Sequence, residues 1–218
     1  MTKAFLFDFD GVVIDSEPTH TITKTIALNY FGIEYPPELF DMFKGTSEEK
    51  FFAYVSEKLD PQHRPVEQLA HKRQEILASY LSQIPILPGF YVFIDSLKYK
   101  QMETALVTSS TLQELVNIDK HLNITPFFGK IISADSTAKH KPDPAPYLKA
   151  LEIMNLKAEE VIIIEDAPNG IIAGKRAGCT VYALTTNFAG QELFRAGADK
   201  VFDGYEQLMK CADVSRGC

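Results

Sequence analysis

An α/β protein, with a doubly wound parallel-sheet core interrupted by an inserted α-helical domain, is what this sequence predicts on three observations. A wholly apolar segment starting at Ala4 runs through Phe5-Leu6-Phe7 straight into Asp8-Phe9-Asp10-Gly11. Strands buried on both faces read this way, and an open α/β sheet presents its chemistry at the carboxyl ends of its strands. From Phe90 to Cys211 helical and strand-like segments alternate, as the βα units of a parallel sheet do. Between these two regions only helical patterns occur, and no strand pattern intervenes. The predicted organisation is therefore a core of residues 1–15 and 86–218 and a helical lid of residues 16–85, with hinges at Asp15 and Pro85.

Each element follows from local signals. After the first strand, Ser16 or Asp15 caps a helix predicted from Pro18 to Phe31, and Gly32 ends it. Helices are then expected at Glu38–Phe43, Ser47–Leu59 and Val66–Leu81, separated by Gly45-Thr46, Asp60-Pro61 and Pro65. The aromatic residues Tyr35, Phe40, Phe43, Phe51, Phe52 and Tyr54 recur at helical spacing, which predicts that most of them form this domain's own core. Pro85-Ile86-Leu87-Pro88-Gly89 leads back to the main body. There the pattern predicts helix Phe90–Tyr99, strand Glu103–Val107, helix Leu112–His121 and strand Lys130–Ser133. Helix Ala145–Met154, strand Val161–Ile164, helix Asn169–Ala177 and strand Thr180–Leu184 come next, and helix Phe188–Ala196, edge strand Lys200–Phe202 and helix Tyr205–Cys211 complete the chain.

Composition narrows the function classes. Hydrophobic content of 45% and charged content of 23% are those of an ordinary globular protein. A net charge of -7 argues against a nucleic-acid partner, because phosphate backbones demand clustered lysine and arginine. A small anionic substrate is compatible with it, since a few local cations and a metal suffice. Cys179, Cys211 and Cys218 are odd in number and lack C-x-x-C spacing, so neither a disulfide framework nor a zinc site is expected. No apolar run approaches the roughly 18 residues of a membrane span, and Met1-Thr2-Lys3 leads directly into the first strand. A cytoplasmic protein without a membrane partner, and a monomer, is the expectation.

In a parallel sheet the residues just after each strand gather on one edge, so they can be read as a set. Asp8 and Asp10, two apart at the end of the first strand, should project to one side. Both can stay ionised there only if a cation or a shared proton relieves them; an ordinary Asp-Gly turn is the alternative. Thr108-Ser109-Ser110 end the second strand before a helix, offering hydroxyls and amides to an anion, or else serving only to cap that helix at Thr111. Lys141 lies in Lys139-His140-Lys141-Pro142-Asp143-Pro144, where prolines would fix the direction of the lysine, unless this is a solvated basic turn. Glu165 and Asp166 follow Ile162-Ile163-Ile164, although Asp166 could merely cap the next helix. Together these are hard oxygen ligands, neutral donors and one cation, a composition that suits Mg²⁺ and phosphate.

The ordered set Asp8-Phe9-Asp10-Gly11, Thr108-Ser109, Lys141-Pro142 and Glu165-Asp166 resembles the four signature motifs of the haloacid dehalogenase superfamily, whose core is Rossmann-like. The helical insert resembles its C1 cap. Asp-Gly-Val-Val-Ile-Asp-Ser-Glu and Lys-Pro-Asp-Pro are most similar to the branch of β-phosphoglucomutases and phosphoglycolate phosphatases. The resemblance implies a Mg²⁺-dependent enzyme acting on a small phosphorylated metabolite. Asp8 would attack phosphorus to give an aspartyl-phosphate, and Asp10 would protonate the leaving oxygen and then activate water. The metal would be held by Asp8, Asp166 and the backbone carbonyl of Asp10, with Glu165 acting through a bound water. Lys141 would screen Asp8 from the phosphate, and Thr108 and the Ser109 amide would bind the transferring group. Gly11, Glu17, His20, Gly45 and Thr46 are the further substrate-binding positions that the resemblance implies.

An aspartate at position 10 separates the chain from dehalogenases and phosphonatases of that superfamily, which do not keep one there. Between phosphatase and hexose-phosphate mutase the helical domain decides, because a mutase needs a second phosphate anchor. Lys44-Gly45-Thr46-Ser47-Glu48 resembles the mutases' specificity loop but has Glu48 where their pattern has arginine, which favours a phosphatase acting on a sugar or polyol phosphate. His20 matches a mutase-like position, and Lys72 with Arg73 could supply a second phosphate site or line a wet helix face. A non-catalytic binding module is the rival from another class; reactive residues at every motif position argue against it. Neither G-x-x-x-x-G-K-[ST] nor G-x-G-x-x-G occurs, which disfavours kinase-type nucleotide binding.

Overall fold

The computed structural model describes residues 2–44 and 46–211. The chain opens with β1 (Ala4–Phe7) and leaves the sheet for α1 (Glu17–Tyr30), α2 (Leu39–Met42), α3 (Glu48–Tyr54) and α4 (Val66–Ala78). It returns through α5 (Phe90–Tyr99), β2 (Glu103–Val107), α6 (Leu112–Leu122), β3 (Lys130–Ile132) and α7 (Ala145–Met154). The remaining elements are β4 (Val161–Glu165), α8 (Pro168–Arg176), β5 (Thr180–Leu184), α9 (Gly190–Ala196), β6 (Lys200–Phe202) and α10 (Tyr205–Met209). The chain forms two compact units, one from the segment ending at Asp15 and the segment starting at Pro85, the other from Ser16–Ile84. Among the described residues no helix is long and apolar enough to cross a membrane.

In the first unit all six strands pair in parallel, in the order β3-β2-β1-β4-β5-β6. β1 is fully buried because both sheet faces are covered. Ala4 and Leu6 pack with Tyr147, Ala150, Ile171 and Leu193 of the helices on one side. Phe5 and Phe7 meet Phe90 and Phe93 of α5 edge to face at 5.6–6.1 Å between ring centroids, within the favourable range for such pairs. The succession runs outward from β1 through β2 to β3 and then crosses back to β4, so β1 sits where the winding reverses. That reversal is where open α/β sheets form their ligand crevice. Phe7 pairs with Leu106 on one side and Ile164 on the other, which brings the chain just beyond β1 level with Val107 and Glu165.

The second unit is wholly helical. Its core is Leu28, Ile33, Leu39, Phe51, Phe52, Val55 and Leu69, with Tyr35, Phe40, Phe43 and Tyr54 packed against it, so the aromatic series is internal packing. Two local features differ from the sequence expectation. The helix expected over 47–59 stops being α-helical at Tyr54 and continues as a π-turn, Val55–Leu59, closed by the Asp60 amide on the Val55 carbonyl at 2.8 Å. Asp60 then accepts the amides of Gln62 and Arg64 and the Arg64 guanidinium, which holds the turn that Pro61 begins. Ser16 occupies the N-cap of α1 but makes no capping bond with its side chain, because its backbone is already helical (φ -89°, ψ -18°) and not extended as capping geometry requires.

Candidate active site

β1 ends at Phe7, one residue before Asp8. Asp8 and Asp10 therefore do not occupy alternate strand positions, as their spacing suggests. The Asp8 amide still extends the ladder by donating to the Ile164 carbonyl at 3.0 Å, and the chain then turns over, with the Phe9 carbonyl accepting from the Val13 and Ile14 amides. Gly11 makes the turn at φ +74°, and a Cβ there would collide with the carboxylate of Asp166 and the amide of Asn187. Glycine is thus required both for the backbone angle and for the space. Asp8 is buried, and Asp10 half-buried.

Lys141 comes from the loop before α7, and its Lys141–Pro142 peptide is cis. Its side chain is 6% exposed, so the segment is no solvated basic turn. The ammonium donates to Asp8 Oδ1 at 2.5 Å, Glu165 Oε1 at 2.7 Å and the Val107 carbonyl at 3.0 Å. The loop is braced from both sides: Arg176 donates to the Pro142 carbonyl at 3.0 Å, and Asp143 accepts the Ala145 amide at 3.0 Å. Thr108 is buried and accepts the Ser110 amide at 2.9 Å, whereas Ser109 is exposed. Helix α6 is capped independently by Thr111, in a reciprocal capping box with Glu114, so Thr108 and Ser109 are not needed for that task. Asp166 is likewise not a cap, since Ala167 holds that position on α8.

Oxygens of Asp8, Glu165 and Asp166 all lie within 4.8 Å of one another. Two side chains that the sequence reading does not single out join them. Tyr147 of α7 donates to Glu165 Oε1 at 2.7 Å, and Asn187, beyond β5, donates to Asp166 Oδ2 at 2.7 Å. Neither stands out in sequence, because a tyrosine in an apolar helix reads as core and an asparagine in a loop reads as turn.

Burial pushes the Asp8 carboxyl up to about 7; Glu165 and Asp10 add to the rise, and Lys141 opposes it. Asp166 is held well above the carboxylate range by burial, then by Glu165 and Asp8, against the Asn187 hydrogen bond. Burial alone would lower Lys141, but the charges of Asp8 and Glu165 outweigh it and keep the ammonium protonated. Three clustered carboxylates and one bonded ammonium leave an excess of two negative charges, the complement of one divalent cation. The donors are all hard oxygens, so the residues present fit Mg²⁺.

The other substrate-binding positions named from sequence lie in the helical unit, apart from Gly45, which falls outside the described residues. Glu17 opens α1. His20 Nδ1 accepts from the Arg73 guanidinium, whose Nη1 donates to Glu48 Oε2 at 2.8 Å. The Arg73 side chain is only 4% exposed. Lys72 is engaged by Glu75 at 2.8 Å and lies over the Tyr30 ring at 4.1 Å. Thr46 donates to the Phe43 carbonyl at 2.7 Å.

Comparisons with known proteins agree with this geometry. A curated phosphorylated carbohydrates phosphatase of Thermotoga maritima is 27% identical over 201 residues, 90% of this chain and 92% of the relative. A phosphoglycolate phosphatase of Aquifex aeolicus is 30% identical over 179 residues, 81% of each chain. Among solved structures, that of a β-phosphoglucomutase-like protein from Thermotoga maritima superposes with a TM-score of 0.83 at 27% identity, covering 95% of this chain and 97% of the other. The family model for haloacid dehalogenase-like hydrolases matches residues 5–184, a span that takes in β1 through β5 and every carboxylate and cation of the buried cluster. The chain belongs to the haloacid dehalogenase-like hydrolase family.

Proposed function

We propose that this enzyme is a Mg²⁺-dependent phosphatase that hydrolyses a small phosphomonoester, a sugar or polyol phosphate, through an aspartyl-phosphate formed on Asp8. Phosphatase action on small phosphorylated compounds is the activity named for its curated relatives. The observation that carries the reading here is Lys141, whose ammonium bridges Asp8 and Glu165 at 2.5 and 2.7 Å inside a buried carboxylate cluster. That arrangement suits a nucleophilic carboxylate which must meet an anionic phosphoryl group.

Asp8 is poised to attack because Lys141 offsets part of its charge while leaving its second oxygen unclaimed by the ammonium. Asp10, close enough to Asp8 to raise its pKa, would donate a proton to the leaving oxygen and take one from water when the acyl phosphate is hydrolysed. Thr108 and the Ser109 amide, level with the end of β1, would orient the transferring group. Mg²⁺, when bound by Asp8, Asp166 and the carbonyl of Asp10, supplies charge neutralisation for the phosphoryl oxygens. In the helical unit Arg73 is already paired with Glu48, which favours a substrate with one phosphate over the bis-phosphorylated intermediate of a mutase.

Phosphate release should be measured over a panel of phosphomonoesters that includes p-nitrophenyl phosphate, with Mg²⁺ or EDTA, for wild type and Asp8→Asn, beside an isomerisation assay on β-glucose 1-phosphate. Release that requires Mg²⁺ and is abolished by Asp8→Asn is the expected result. Isomerisation without net phosphate loss would make the enzyme a mutase, and silence in both assays would leave a binding module.

A further inference from the structure

Glu165 closes β4 and is 1% exposed. Oε1 accepts from Lys141 and from the Tyr147 hydroxyl, each at 2.7 Å, and Oε2 accepts from the amides of Asp166 at 3.0 Å and Ala167 at 3.3 Å. A carboxylate offers about four lone-pair sites, and all four are filled. Its remaining side is covered by α8: a Cβ on Gly170 would overlap both oxygens. A metal-binding oxygen, or one serving a metal-bound water, needs a lone pair directed at its ligand, and this carboxylate has none to spare.

Tyr147 is what makes that arrangement complete. It is fully buried on the first turn of α7, and its ring also lies under the Lys141 ammonium at 4.9 Å. We propose that Tyr147 is a positioning residue of the phosphoryl-transfer site, holding Glu165 as the anchor of Lys141 and so leaving the metal to Asp8 and Asp166. The inference rests on the phosphatase reading above. Without the hydroxyl, Oε1 has Lys141 as its only printed donor. Its less quenched charge then draws the ammonium toward Glu165 and away from Asp8. The nucleophile loses part of its screening, while the donors to the metal are untouched.

Tyr147→Phe and Glu165→Gln separate anchoring from metal ligation. For each, kcat and KM on p-nitrophenyl phosphate, the midpoint of thermal unfolding, and the affinity of the full-length protein for Mn²⁺ by titration calorimetry should be measured. Loss of a partner behind a metal site typically costs about 10- to 100-fold. Tyr147→Phe is expected to lower kcat about 10-fold, and Glu165→Gln about 100-fold, with KM and Mn²⁺ affinity within about threefold of wild type. Mn²⁺ affinity weakened about tenfold or more by Glu165→Gln would show Glu165 to be a ligand and overturn the proposal. Wild-type kcat in Tyr147→Phe would reduce Tyr147 to core packing, with the same consequence. If wild type releases no phosphate from any ester, the phosphatase reading falls, and the Mn²⁺ titration of Glu165→Gln still decides the part played by Glu165. Should Glu165→Gln fail to fold, Tyr147→Phe carries the test alone: reduced kcat at unchanged metal affinity supports anchoring, and loss of both refutes it.

Discussion

Replacing Lys141 by methionine removes the one ammonium bonded to the carboxylate cluster among the described residues and leaves an unbranched apolar chain in its buried channel. Nζ stands 2.5 Å from the nearer Asp8 oxygen, which puts the charge centres roughly 4 Å apart. At an effective dielectric near 20 that attraction is worth about 4 kcal/mol, or about a thousandfold in the ionisation equilibrium of Asp8. Since Asp8 already stands at about 7, roughly half of it is ionised at pH 7 in the metal-free wild type, against on the order of one part in a thousand in the variant. A bound divalent cation offsets part of this, so the expected loss of kcat at pH 7 is at least about 100-fold. The acid limb of the kcat–pH profile should move to higher pH, and the deficit should narrow by about pH 9. Phosphate release from p-nitrophenyl phosphate at saturating Mg²⁺, measured from about pH 5 to pH 9.5 for both proteins, checks this. A profile that superimposes on wild type would refute the reasoning, as would an equal deficit at both ends, since neither is compatible with Lys141 acting on the ionisation of Asp8.

Other consequences are open to measurement. Asp8 is raised from 3.8 to about 7 on folding, so between these values the native state binds more protons than the unfolded chain, and the contribution of this group to stability declines as pH rises. The unfolding midpoint of EDTA-treated protein should fall between pH 5 and pH 8 and recover when Mg²⁺ is added; a flat metal-free profile counts against the assignment. Asn187→Ala removes the 2.7 Å bond that orients Asp166 and should weaken Mn²⁺ binding about 10-fold with little change in thermal stability; unchanged affinity would rule out an orienting role. Arg73→Met leaves Glu48, whose Oε1 already has no hydrogen-bond partner, without the cation it pairs with at 2.8 Å. A loss of about 3 kcal/mol is expected by denaturant unfolding, most of it recovered in the double variant with Glu48→Gln; additivity of the two changes would mean that the pair is not coupled.

Much of the fold was legible because it rests on short-range pattern. Ala4–Phe7 reads as a buried strand since both sets of alternating side chains are apolar, and the sheet satisfies both, one through Ala4 and Leu6, the other through Phe5 and Phe7. The same holds for Lys141. Its flanking prolines mark a loop that cannot drift into helix, and that loop presents the lysine to residues more than a hundred positions away, Asp8 among them. Where local readings competed, spatial arrangement decided. Thr111 takes the cap of α6 and Ala167 the cap position of α8, so Thr108, Ser109 and Asp166 are not occupied in ending helices. Arg73 reads as either a phosphate anchor or a wet helix face; it is buried against Glu48 and His20, partners separated from it by 25 and 53 positions.

By itself, then, the order of residues determined the α/β alternation, the helical insert and the four strand ends that carry polar chemistry, because periodicity, proline and glycine act over a few residues at a time. Only the tertiary structure decided how the carboxylates divide their work. Glu165 and Asp166 are neighbours with the same chemistry in sequence, yet the pleat of β4 and the turn after it point one toward Lys141 and Tyr147 and the other toward Asn187. Tyr147 and Asn187 became visible only when parallel pairing set the ends of β1, β4 and β5 side by side. Their partners lie 18 and 21 positions away, beyond the reach of any local pattern.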